Sequence, residues 1–179
     1  CLQNYLICET ENPLKCSCTF NEQNINEDYL NGKSYIKYKV KGKGKNKIFF
    51  SKDEWFSSSF IPPNEVVINN IKKSYVFYKY ELENENNDII IIWNEHINTI
   101  HTAFYNCTNI THVDLSHFSS SYLINIGGLF QHCSSLTYVN FTNFNTENVL
   151  SMQFMFRGCD SLTSLDLSNF NTASVIDMK

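Results

Sequence analysis

One distance organises the C-terminal half of this chain. Cys107, Cys133 and Cys159 stand 26 residues apart, and the same shift carries Phe104 onto Phe130 and Phe156, and Phe118 onto Phe144 and Phe170. Residues 130–153 and 156–179 are identical at 11 of 24 aligned positions. A fixed period of about 20–50 residues marks stacked supersecondary units, because one unit alone cannot bury its apolar face. Each unit reads as two halves. Leu162, Leu165, Leu167 and Phe170 have the spacing of a leucine-rich repeat strand. In the other half, Val149, Met152, Met155, Phe156 and Cys159 step by three, three, one and three, the stripe of a short helix. Leu123 to Cys133 and Ile97 to Cys107 repeat those steps, which takes the repeat back to about residue 93. The expected fold is therefore an α+β repeat solenoid of 26-residue strand-plus-helix units.

The strand register follows from period-2 alternation. Val113, Leu115, Val139, Phe141, Leu165 and Leu167 are expected inside. His112, Asp114 and Ser116, then Tyr138, Asn140 and Thr142, then Ser164, Asp166 and Ser168 form the outward polar face, and these nine are the ligand-face candidates. His112, Asp114 and Ser116 are not a catalytic triad, because same-face strand residues run nearly parallel and the period replaces them with other polar types. The last unit is the most regular. A terminal repeat normally degenerates into a polar cap, so further repeats, or another chain covering this end, are expected.

Two zones precede the repeats. Residues 1–20 hold Cys1, Cys8, Cys16 and Cys18, four of the seven cysteines. Disulfides there would pin a segment with little apolar content, which favours an oxidising, extracytoplasmic compartment. A lipidated Cys1 is the alternative for the first of them, and Cys16-x-Cys18 lacks zinc-ligand spacing. Residues 21–92 read as a β-rich cap. Ile36, Tyr38 and Val40 alternate with polar residues, Gly42 and Gly44 permit a turn, and Glu65 to Ile68, Tyr75 to Leu82 and Asp88 to Trp93 are further strands. Lys37, Lys39, Lys41, Lys43, Lys45 and Lys47 form a basic patch with no acid among residues 33–47. It reads either as an anion site or as lysines that protect a sheet edge. Glu81, Glu83, Glu85 and Asp88 are an acidic counterpart.

Composition excludes several classes. The net charge of −4 argues against a nucleic-acid binder. The longest apolar run, Ile89 to Trp93, is far short of the roughly 20 residues of a membrane span, so no transmembrane segment is expected. No glycine-rich phosphate loop, metalloprotease or hydrolase motif appears, the five histidines are scattered, and neither enzyme activity, cofactor nor metal is expected. Asn106, Asn109 and Asn140 open N-x-[ST] sequons and are glycosylation candidates.

The run Phe156 to Met178 resembles the BspA-type leucine-rich repeat, whose units read Cys, then Ser-Leu-Thr-x-Leu-Asp-Leu-Ser-x-Phe-x-Thr, then Val and Met. Residues 104–129 depart from it, with Ser119-Ser120 for Asn-Thr and Ile126 for Met. The resemblance covers about half the chain and implies a surface-exposed solenoid with adhesion or interaction roles and no catalysis. The expectation is an extracellular or cell-surface protein that meets a protein or glycan partner with its strand face. The rival is a coat or filament subunit that self-associates through solenoid ends and charged cap patches.

Overall fold

The computed structural model describes residues 7–8, 16–17, 23–49 and 61–179. In chain order the strands are β1 (Ile7–Cys8), β2 (Cys16–Ser17), β3 (Gln23–Asn24), β4 (Ser34–Lys41), β5 (Gly44–Lys47), β6 (Glu65–Ile68), β7 (Ile71–Lys72), β8 (Lys79–Leu82), β9 (Asn86–Trp93), β10 (Ile110–Asp114) and β11 (Tyr138–Asn140). Seven strands form one mixed sheet in the order β11-β10-β4-β9-β6-β7-β3. Two small pairs, β1-β2 and β5-β8, lie apart from it.

β4 occupies the middle. Ile36, Tyr38 and Val40 are buried and Lys37, Lys39 and Lys41 exposed, as the alternation requires. β4 pairs antiparallel with β9 over its whole length and antiparallel with β10 on its other side. β10 then pairs parallel with β11. One sheet thus runs from the N-terminal zone into the repeats, across the boundary near residue 92. The apolar run Ile89 to Trp93 is buried on both faces because two cores meet there. Ile89, Ile91 and Trp93 join the main core, and Ile90 and Ile92 join Leu30, Tyr35 and Val67 on the other side.

That second core lies under a 3-10 turn, Glu27–Leu30, whose N-cap Asn26 accepts the Tyr29 amide at 3.2 Å. Glu65 ties the turn down: it accepts from the Tyr29 hydroxyl and lies 3.0 Å from Lys72 and 3.5 Å from Lys33. Burial alone would raise the Glu65 carboxyl. The bonds from Tyr29 and Lys72, with the charges of Lys72 and Lys33, outweigh it and hold the group below the usual carboxylate range.

The 26-residue period is visible as stacked turns. Thr99, Asn125, Ser151 and Asp177 form successive parallel bridges. Phe104, Phe130 and Phe156 stack at 5.6 and 5.7 Å, and Phe118, Phe144 and Phe170 at 6.4 and 6.1 Å. Tyr38 meets Phe104 edge-on at 5.1 Å and Trp93 meets Phe118 edge-on at 5.4 Å, so the N-terminal strands close one end of both ladders.

The expected α+β repeat solenoid is overturned: the molecule is nearly all β. Among the described residues the one helical element is the four-residue 3-10 turn. The inward stripe exists, with Ile126, Leu129, Phe130 and Cys133 fully buried, but turns carry it. Alternate amides are spent between units: Thr102, Phe104 and Asn106 donate to the carbonyls of Gly127, Leu129 and Gln131. The amides in between bond three residues back, as Ala103 does to Ile100. Left-handed residues then recur at Thr102, Gly128 and Phe154, and at Asn106, His132 and Gly158. An α-helix needs a continuous run of right-handed residues bonding four back. Left-handed residues every four positions forbid it.

Val113, Leu115, Val139 and Phe141 are buried as expected. Leu165 is only partly buried and Leu167 is 40% exposed, against expectation. The third unit joins the second through the Ser151–Asp177 bridge, the Ser161 and Asn169 side chains and the Phe170 ring, but forms no strand beside β11. A cavity of about 530 Å³ opens there, and Asn169 Nδ2 takes the Phe141 carbonyl at 2.7 Å.

The buried ladder makes one clear prediction. Phe130→Ala should destabilise by about 3–5 kcal/mol, whereas Phe154→Ala, at an exposed position, should cost well under that. Urea unfolding checks it, and equal midpoints for the two variants would contradict the ladder.

Candidate functional site

The position of β4 decides which side chains share a surface. On the face away from the main core, register partners across β11, β10, β4 and β9 form two rows. One row is Tyr138, His112, Lys39 and Asp88; the other is Asn140, Asp114, Lys37 and Ile90. The ligand-face candidates of the first two units are therefore continuous with two lysines of the basic patch. A groove of about 430 Å³ runs between the rows, lined by Lys37, Lys39, Asn70, Asp88, His112, Asp114 and Tyr138, with Ile90 at its floor. The 3-10 turn packs on the sheet around Tyr35, Val67, Ile90 and Ile92, and the groove opens beside that core, with Ile90 at their border.

The polar candidates divide by what already holds them. Asp114 Oδ1 accepts the Ser116 amide at 2.9 Å and Asn140 Nδ2 at 3.0 Å. Asn140 Oδ1 accepts the Thr142 amide and hydroxyl, and Asp166 Oδ1 accepts the Ser168 amide at 2.9 Å. These are Asx turns, which end β10 and β11 and recur at the equivalent position of the third unit. The Ser168 amide and hydroxyl also hold the fully exposed Asp166 carboxyl below its usual range. Ser164, Asp166 and Ser168 line the separate cavity beside β11, not the groove. Most exposed on the open face are Tyr138, 54% exposed, its neighbour His112 at 6.1 Å, whose Nδ1 lies 3.0 Å from Thr111 Oγ1, and Lys37, whose ammonium lies 5.5 Å from the centre of the Tyr35 ring.

The basic patch is divided by the backbone. Gly42 and Gly44 take φ of 98° and 81° and turn the chain out of the large sheet, so β5 pairs with β8 instead of β4. Lys37 and Lys39 stay on the open face, where Lys39 pairs with Asp88 at 2.6 Å. Lys45 is the register partner of Glu81, and Lys47 that of Lys79. Lys41 and Lys43 flank the turn and are exposed. The buried Asn46 secures this corner by donating to Gly44 and Gly42 carbonyls.

Two glycosylation candidates are engaged internally. Asn109 Nδ2 donates to Asn46 Oδ1 at 2.6 Å and Asn140 Nδ2 to Asp114, so a glycan on either nitrogen would leave it one N–H and would have to fit beside that partner. Asn106 is exposed. Of the N-terminal cysteines, Cys8 and Cys16 are register partners across β1-β2; Cys1, Cys18 and the thiol pairing lie outside the described residues.

A larger cleft of about 720 Å³ lies at the other end of β4, near Lys33, His96 and His117. Three of its titratable groups are engaged internally. Lys33 is bound to Glu65 and lies over the Tyr29 ring, His117 stacks on Tyr35 at 4.8 Å, and His96 packs on Tyr122 at 4.5 Å. Among the described residues no cluster could hold a metal ion, and no helix is long and apolar enough to cross a membrane.

Residues 71–179, more than half of the chain, match a family described as Mycoplasma protein of unknown function, DUF285. The chain belongs to this family. No curated protein and no solved structure matches it. In this DUF285 member the matched span supplies β10, β11 and β9, while β4 comes from outside the span and lies between β10 and β9. The groove is therefore composite: Tyr138, His112 and Asp88 lie within the match, and Lys37 and Lys39 outside it.

The repeat cysteines belong to the core. Cys107, Cys133 and Cys159 form no disulfide; Cys133 Sγ donates to the Phe104 carbonyl at 3.0 Å and Cys159 Sγ to the Phe130 carbonyl at 3.1 Å. Burial, reinforced by the flanking thiols, pushes the Cys133 group far up, and burial pushes Cys159 up to about 11. Thiolate is the reactive species. Iodoacetamide at roughly pH 8, near a free thiol's own pKa, should leave both unmodified in the native protein and label both in urea. Rapid native labelling would contradict this placement.

Proposed function

We propose that this chain is a non-catalytic recognition module of the extracellular space or cell surface, and that it meets its partner with the open face of the seven-stranded sheet. One observation carries the reading. On that face Tyr138, His112 and Lys37 stand beside a groove and are not consumed by the turns that occupy their polar neighbours. A groove with a few convergent polar groups is the default place to look for a binding site. The resemblance of the repeats to BspA-type units supports a surface role, and the four cysteines among the first 20 residues support an oxidising compartment.

The test is binding of the purified chain to cultured animal cells. The variant Lys37→Glu with Tyr138→Glu alters two exposed positions and should fold normally. It should lose binding by at least about tenfold, equivalent to roughly 1.4 kcal/mol, while the distant exposed change Glu147→Lys has no effect. Equal binding by all three proteins would refute the face. Concentration-dependent filaments of the wild type, without cell binding, would favour the coat-subunit reading instead.

A further inference from the structure

The chemistry of the open face narrows the class of partner. Charge comes first. Lys37 and Lys39 are matched on the groove by Asp88 and Asp114, and Lys39 is already paired with Asp88. A polyanion would find little net positive charge here: Lys41, at the end of β4, is the one further patch lysine on this face, because Lys43, Lys45 and Lys47 follow the turn at Gly42 and Gly44. Backbone availability comes second. β4, β9 and β10 are each paired on both sides, so an extended peptide could add only at the outer edge of β11 and not along the groove between the rows. Shape and polarity come third. Tyr138 and His112 present rings tilted by 44° at one end. Lys37, Asn70 and Asp88 present an ammonium, an amide and a carboxylate along the groove, and Ile90 contributes an apolar floor. Three strand spacings separate the Tyr138 and Asp88 ends, about 14 Å.

A pyranose ring has an apolar C–H face and a rim of hydroxyls that both donate and accept. An exposed aromatic ring takes the face, and mixed cationic, amide and anionic side chains take the rim through charge-assisted bonds. We propose that the groove is a carbohydrate subsite for a neutral saccharide. Tyr138 is the stacking platform, and Lys37, Asn70 and Asp88 are the hydroxyl partners. The proposal rests on the recognition reading above and specifies what that face recognises.

The experiment is titration of the isotopically labelled chain, followed by amide NMR, with lactose, mannotriose and chitotriose, and with a heparin oligosaccharide as the polyanion. At least one neutral saccharide should shift amides around Lys37, His112 and Tyr138. Tyr138→Ala should weaken that binding at least about tenfold, the loss typical of an aromatic anchor, and Tyr138→Phe should retain it. No response to any neutral saccharide, a response to heparin alone, or equal binding by Tyr138→Ala would overturn the assignment. A cell-binding arm separates this failure from failure of the recognition reading. Sensitivity of binding to periodate treatment of the cells supports the saccharide. Sensitivity to protease alone, with the Lys37→Glu, Tyr138→Glu variant still inactive, overturns the saccharide but leaves the face.

Discussion

The antiparallel ladder between β4 and β10 is the contact on which the rest of this structure depends. Val40, Lys39, Tyr38 and Lys37 align with Ile110, His112, Val113 and Asp114, with an irregularity between Ile110 and His112. Flanking bonds from Lys41 to the Asn109 carbonyl and from Ser119 to Ser34 Oγ extend the junction at both ends. Each net hydrogen bond contributes only about 1 kcal/mol, so the ladder matters mainly for what it positions. It sets Tyr38 over Phe104 in the core and Lys37 and Lys39 beside Asp114 and His112 on the open face. Without β4, the first repeat unit would present an unpaired strand and an uncovered ring to water, a liability for any sheet edge.

Beyond that junction, the repeats sustain themselves by stacking like on like. Two phenylalanine ladders and a cysteine ladder run along the stack, with Phe141 wedged edge-on against Phe130, Phe144, Phe156 and Phe170. Backbone economy explains the turns. By donating alternate amides to the next unit and the intervening ones three residues back, each turn uses its backbone amides while sending the Ile100, Ala103, Phe104 and Cys107 side chains, and their equivalents, inward. Gly158 shows how tight the arrangement is. A Cβ there would lie 2.6 Å from His132 Nδ1, and φ is +73°.

Much of this was legible in the residues, and the failures have physical causes. The 26-residue period, the burial of Val113, Leu115, Val139 and Phe141, and the alternation of β4 all follow from side-chain periodicity, which reports which face is buried. Periodicity does not report which strand is next door. Lys37 and Asp114 are 77 positions apart, and nothing in either segment announces their pairing, so the composite groove was invisible. The helix expectation failed because steps of three, three, one and three suit a helical stripe and a series of tight turns equally well. Asn106, Gly128 and Gly158, residue types tolerant of positive φ, were the available signal. The outward Asp114, Asn140 and Asp166 were correctly placed, but each is occupied as an Asx turn. The turn at Gly42 and Gly44 was expected, but not that it would hand β5 to β8 and so divide the lysines between two sheets.

The register of the central ladder can be measured by cross-strand disulfide trapping. Lys39→Cys with His112→Cys places two thiols on register partners, at the roughly 4.5–5.5 Å Cα separation of an antiparallel pair, within the range a disulfide spans. Lys39→Cys with Asp114→Cys places them on a diagonal, at about 7–8 Å, beyond that range. Mild oxidation followed by non-reducing peptide mapping should link the first pair readily and the second poorly. A second pair that links as well as the first, or a first pair that stays open, would contradict the insertion of β4 beside β10.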